Sequence, residues 1–145
     1  MFAYPVELIE QDGEVIVDFP DIPECHAVGD THEEALAQAR DALETALSLY
    51  MDQKRLLPRA SYRQSGPVVT PSALAALKSE LYMAMKEKNV TKAELARRLK
   101  VSKVQVQRLC DIMHQSRLDQ IEAALTALGK RVFVTTQELQ PVLAA

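Results

Sequence analysis

The stretch that decides the fold runs from Val90 to Ile112, VTKAELARRLKVSKVQVQRLCDI. Thr91 stands where a helix N-cap belongs, and Glu94 three residues later completes a capping-box pattern. Leu95, Ala96 and Leu99 then fall on one face of a helix of about two turns. Lys100-Val101 makes a short turn, Ser102 is a second N-cap, and Val106 and Leu109 supply the inward face of the next helix. Two short helices joined by a tight turn, with a small residue (Ala96) at their crossing, form a helix-turn-helix arrangement. The second helix turns Lys103, Gln105, Gln107 and Arg108 outward. Gln and Arg are the side chains that make paired hydrogen bonds to adenine and guanine edges in the major groove. A motif of this shape can also serve protein contacts alone. The segment from Ser102 to Cys110 has no acidic residue, however, and the preceding helix adds Lys92, Arg97 and Arg98. That balance favours DNA. Lys100 is a departure, because the turn position of this motif usually carries glycine; it either strains the turn or adds a phosphate contact.

Outward from this core, the preceding segment predicts a helix capped by Thr70, with Pro71 in its first turn, burying Leu74, Leu77, Leu81 and Met85 and ending near Asn89. Beyond the motif, LDQIEAALTALGK (Leu118 to Lys130) predicts another helix closing on Leu-Gly. Arg131 to Thr135 alternates as a terminal β-strand, which either joins a sheet or pairs with a twin chain. The segment from 74 to 129 resembles the Cro/repressor-type helix-turn-helix domain. By that resemblance Lys103, Val104, Gln107 and Arg108 are the base readers, Val104 through a thymine methyl group. Thr91, Ser102 and Arg117 touch phosphates. Gln105 belongs to the same outward surface, and such domains usually act as dimers or higher oligomers.

The first half is built differently. Residues 4–10 and 14–19 alternate in β-branched and polar residues around Gln11-Asp12-Gly13, which reads as a hairpin. A third strand is expected over Glu24 to Val28. Thr31 and Glu34 then form a capping box for a helix reaching about Gln53, with Leu36, Ala39, Leu43, Ala46, Leu47 and Tyr50 at helical spacing. Val68-Val69-Thr70 is expected to return as a strand completing that sheet. The boundary falls at 69/70.

Charge separates the two halves. The chain of 145 residues carries a net −3. Residues 1–69 hold 5 Lys and Arg against 13 Asp and Glu, whereas residues 70–145 hold 12 against 7. An acidic module thus precedes a basic one, and phosphate contacts need only local positive charge. Composition, at 48% hydrophobic and 26% charged, is that of a soluble globular protein. There is no signal-peptide pattern or membrane-length apolar run, so a cytoplasmic protein is expected. Cys25 and Cys110 read as buried thiols with no metal spacing.

The stretch Asp21 to Leu43, DIPECHAVGDTHEEALAQARDAL, resembles the HicB antitoxin family through Asp21-Ile22-Pro23, Gly29-Asp30-Thr31 and Glu34-Ala35. Tyr4-Pro5-Val6 and Asp18-Phe19 match it too, while Glu24 departs from a glycine common there. The fold implied is α+β. Residues 1–69 would be a degenerate ribonuclease-H-like β-β-β-α-β toxin-binding domain. Residues 70–145 would be an all-α helix-turn-helix domain with a terminal β-strand, for DNA binding and dimerisation. The function implied is that of an antitoxin. It would cover the active site of a small basic RNA-cleaving toxin, HicA, and repress its own operon. A module of net charge −8 suits a cationic partner, although an acidic surface also simply aids solubility.

No toxin-contact residue stands out from solvated polarity. Asp18, Asp21, Asp30 and Glu34 invite a two-metal nuclease site, but Asp30 and Glu34 suit a helix start and Asp21 a Pro-flanked turn. His26, His32 and His114 are scattered, with His32 expected to be solvated in a first helical turn. No catalytic residue, metal site or cofactor is therefore assigned. The alternatives are a transcriptional regulator with a ligand-sensing first domain and a metal-dependent nuclease.

Overall fold

The computed structural model describes residues 2–139. Their elements run β1 (Tyr4–Pro5), β2 (Glu7–Gln11), β3 (Glu14–Asp18), β4 (His26–Gly29), α1 (His32–Asp52), β5 (Val68–Val69), α2 (Ala73–Glu87), α3 (Lys92–Leu99), α4 (Lys103–Leu109) and α5 (Leu118–Ala127). The chain is thus mixed α+β, and no helix among the described residues is long and apolar enough to cross a membrane.

The hairpin closes through Asp12-Gly13, both at positive φ (53° and 80°), the backbone that a two-residue turn between twisted strands requires. This fixes the register, Gln11 opposite Glu14 and Ile9 opposite Ile16. Strand β4 adds to the other side of β3, with Val28 opposite Ile16, giving the antiparallel order β2-β3-β4. Helix α1 covers one face of this sheet, and Val15, Val17, Ala27, Ala35, Ala39, Leu43 and Leu47 form the core between the layers. Its start is capped as expected, Thr31 Oγ1 accepting from Glu34 N (3.1 Å). The Glu34 carboxylate reaches Asp30 N (3.2 Å), one residue before the cap.

Three expectations are corrected. Val68-Val69 forms a strand but does not complete the three-stranded sheet. It pairs antiparallel with Tyr4-Pro5 in a separate two-stranded ladder, extended by Val6 N donating to Pro67 O (3.1 Å). The cap of α2 is Ser72, not Thr70. Ser72 Oγ accepts from Ala75 N (3.1 Å) while Glu44 of α1 accepts from Ser72 N (2.7 Å), so a tertiary contact selects the start. Lastly, Arg131 to Thr135 forms no strand. No strand among the described residues lies alongside to pair its backbone, and Phe133 and Val134 are exposed.

A second core gathers Leu81, Ala84, Met85, Leu95, Ala96, Val106, Leu109, Ile121 and Leu125 from α2 to α5. Helix α2 serves both cores: Ala75 is buried in the first, and Leu81 in the second. The loop after α4 returns Ile112 to the first core. Tyr82 Oη donates to Arg55 O (2.7 Å) and Lys86 Nζ to Lys54 O (2.7 Å), fastening α2 to the end of α1.

Candidate nucleic-acid interface

Each helix of the 91–110 unit starts on a side-chain cap. Thr91 Oγ1 accepts from Glu94 N (3.1 Å) and Ser102 Oγ from Gln105 N (3.2 Å). A hydroxyl that accepts in this way still has its proton to donate, so both residues stay competent for a phosphate oxygen. Glu94 does not reach back to its cap. Its carboxylate pairs with Arg97 and with Arg98 (Nε at 3.1 Å), so one of the three positive charges of α3 is offset where it arises. The turn between the helices passes through Lys100 at φ 56°, ψ 43°, the left-handed conformation that explains why glycine suits this place.

Helix α4 buries Val106 and Leu109 and exposes Lys103, Val104, Gln105, Gln107 and Arg108. Lys103, Val104, Gln107 and Arg108 follow a one-then-three spacing that puts them on a single face, opposite the buried pair. Gln105 lies off that face, beside the buried edge. Val104 is 53% exposed, an aliphatic group held among polar ones. Among the described residues Lys103, Arg108 and the turn's Lys100 have no carboxylate partner, so their charge is available. Arg117 is the N-cap of α5. It is placed beside the last turn of α4 because Ser116 Oγ donates to Arg108 O (3.3 Å), and its guanidinium pairs with Asp119 (2.9 Å). The residues from Ser102 to Arg108 and Arg117 are therefore brought together. Thr91 caps the start of α3, next to Lys92, whose charge acts on Cys110 at the end of α4.

One residue that the sequence left unmarked organises this site. Lys78 of α2 is fully buried, and its ammonium is shared among Arg108 O (2.8 Å), Asp111 O (2.6 Å), His114 O (2.7 Å) and Ser116 Oγ (2.8 Å). These acceptors are the open C-terminal end of α4 and the loop behind it, where a cation complements the unpaired carbonyls. Burial pulls the Lys78 pKa below its ordinary value, opposed by nearby Asp111. A lysine inside an apolar helical repeat was the available signal.

In the first half the four carboxylates do not assemble. Asp21 accepts from Ser61 N (2.7 Å) and from its hydroxyl, and Glu34 is spent at the start of α1. No group of three or more His, Cys, Asp or Glu among the described residues could hold a metal ion. His32 is not solvated: its Nε2 lies 3.3 Å from Glu10 Oε1, with the side chain mostly covered. Cys25 and Cys110 are buried free thiols. Burial pushes the Cys25 thiol up to about 11 and raises that of Cys110.

Residues 3–80 match the HicB_like antitoxin family of bacterial toxin-antitoxin systems. The chain is also 46% identical over 139 residues to "Antitoxin HicB" of Pseudomonas fluorescens (strain Pf0-1), covering 94% of this chain and 95% of that one. The chain belongs to the HicB-like antitoxin family. Further relatives in it are "Antitoxin HicB 2" of Photorhabdus laumondii, 40% identical over 89% of this chain and 92% of the relative, and "Antitoxin HicB" of Escherichia coli K12, 36% identical over 89% and 95%. At 94% coverage the similarity to a HicB antitoxin takes in α3 and α4 as well as the sheet and α1.

Proposed function

We propose that this HicB-family chain is a cytoplasmic antitoxin with two jobs. Its first module, residues 1–69, has a degenerate ribonuclease-H-like fold and covers the active site of a small basic RNA-cleaving toxin of the HicA type. Its second, residues 70–145, represses the operon, with α3 and α4 as a helix-turn-helix and α4 in the major groove. The reading rests on one observation above others: a helix face of Lys103, Val104, Gln107 and Arg108, without a carboxylate and without an ion-pair partner, carried by a chain whose relatives are named antitoxins. In this reading Arg108 and Gln107 make paired hydrogen bonds to base edges, and Val104 meets a thymine methyl. Thr91, Ser102 and Arg117 bind phosphates, and Arg117 must first give up Asp119. The exposed tail of Phe133 and Val134 pairs with a second copy, so that a dimer or higher oligomer presents two copies of α4 to two half-sites.

Titrating the chain against its operator and against random DNA tests this. Arg108→Ala is expected to weaken operator binding by about 1–3 kcal/mol and to relax base preference, with little effect on random DNA. Equal losses on both would demote Arg108 to a phosphate contact.

A further inference from the structure

The three-stranded sheet has two faces, and only one is covered. Leu8, Val17 and Ala27 lie in one cross-strand row toward α1. The alternation of a strand puts the neighbouring row, Ile9, Ile16 and Val28, on the opposite face. There Ile9 is 41% and Val28 42% exposed, while Ile16 between them is half-buried. Single exposed aliphatic residues are ordinary on a protein surface. Three β-branched ones in register across adjacent strands form a continuous apolar strip.

The strip has an acidic border. Glu7 and Asp18, with the exposed His26 beside them on β4, form the next row on one side and Glu14 stands at the hairpin end on the other, whereas the strands themselves contain no Lys or Arg. Among the described residues one cation, Arg63, reaches this border, at 3.8 Å from Glu7 with both side chains well exposed. An apolar centre with a rim of one charge sign is the anatomy of a docking surface, and the sign of the rim selects a cationic partner. A second copy of this chain is disfavoured as occupant, because the same carboxylates would face one another.

We propose that this sheet face, centred on Ile9, Ile16 and Val28 and bordered by Glu7, Glu14 and Asp18, is the surface that seats the basic toxin. The assignment rests on the antitoxin reading above and adds the place of contact to it. The toxin's aliphatic groups cover the strip, and its Lys and Arg side chains meet the border, displacing Arg63 from Glu7.

The test measures the affinity of the full chain for a catalytically inactivated HicA-type toxin from the same operon, by titration calorimetry at two salt concentrations. Ile9→Thr/Val28→Thr keeps β-branching on both strands and removes the apolar strip. It is expected to weaken binding on the order of tenfold or more, with thermal unfolding and operator binding unchanged. Glu14→Lys is expected to weaken binding and to flatten its salt dependence. Leu49→Gln, at an exposed site on α1, is expected to change nothing. Unchanged toxin affinity in the Thr double variant, beside a wild-type chain that binds, overturns the surface and leaves the antitoxin reading standing. The surface is likewise overturned if only Leu49→Gln weakens binding, or if the double variant alters self-association of the free chain but not toxin affinity. A wild-type chain that does not bind the toxin overturns the antitoxin reading and this surface with it.

Discussion

The buried ammonium of Lys78 holds a carbonyl in the last turn of the exposed helix in place, lying 2.8 Å from the oxygen of Arg108. The residue expected to read a base thus has its backbone tied to a second helix, and the same ammonium holds Asp111, His114 and Ser116. Lys78→Met keeps the aliphatic stem and removes the donor. Three carbonyl oxygens and a hydroxyl then lose this donor, although Arg108 O keeps Asp111 N and Ser116 Oγ and Asp111 O keeps His114 N, while the cost of burying a charge is relieved. The expected net loss is about 2–3 kcal/mol in chemical denaturation. Operator affinity, measured well below the unfolding transition, should fall as well, because the end of α4 and Arg117 lose their common anchor.

Gly29 is required for space rather than for backbone freedom. A Cβ there would lie 2.7 Å from the Ala35 Cα and would also collide with the Ala35 nitrogen, both backbone atoms of α1. The sheet and helix would have to separate along their closest approach. Gly29→Ala should therefore lower stability by about 3 kcal/mol, seen as a shift in the denaturant midpoint.

Most of the elements were legible because their signals are local. Thr31 and Glu34, Thr91, Ser102 and the Asp12-Gly13 turn each act within four residues, and each appears at the expected place. The exposed face of α4 followed from the same short-range periodicity. Misread features depended on distant partners. Ser72 replaces Thr70 as a cap because Glu44 reaches it, Val68 and Val69 found Tyr4 and Pro5 rather than the larger sheet, and residues 131–135 found no strand beside them. Lys78 meets acceptors thirty or more positions away, which no spacing rule encodes. Two further facts were present but unread. A two-residue turn fixes Ile9 opposite Ile16, and Glu94 stands three and four residues ahead of Arg97 and Arg98, where ion pairs form on a helix.

Alkaline pH should expose the burial of Cys25. Its thiol rises from an ordinary 9.0 to about 11, chiefly through desolvation, with Glu24 adding to it. The folded chain therefore keeps the thiol neutral where the unfolded chain has already ionised it. Its contribution to stability is complete below pH 9 and is lost as pH rises toward 11. Comparing the chain with Cys25→Ala cancels the other groups that titrate in this range. The difference in unfolding free energy is expected to shrink by on the order of 2 kcal/mol between pH 8 and pH 11. A constant difference across that range would mean that the site admits water.

Lys100 poses a question that its φ of 56° answers by half. A side chain in the left-handed region costs roughly 1–2 kcal/mol relative to the right-handed one, and glycine escapes that cost while losing more entropy on folding. Lys100→Gly should therefore stabilise the chain by about 1 kcal/mol. The cost is tolerated for a reason that DNA titration can reveal, since the exposed Lys100 has no ion-pair partner among the described residues and sits between α3 and α4, beside the Ser102 cap. If the ammonium lies against a phosphate, the variant binds operator and random DNA more weakly by a similar factor. The slope of log affinity against log salt then falls by about one. A stabilised variant with an unchanged salt slope would instead make Lys100 a strained turn residue with no part in binding.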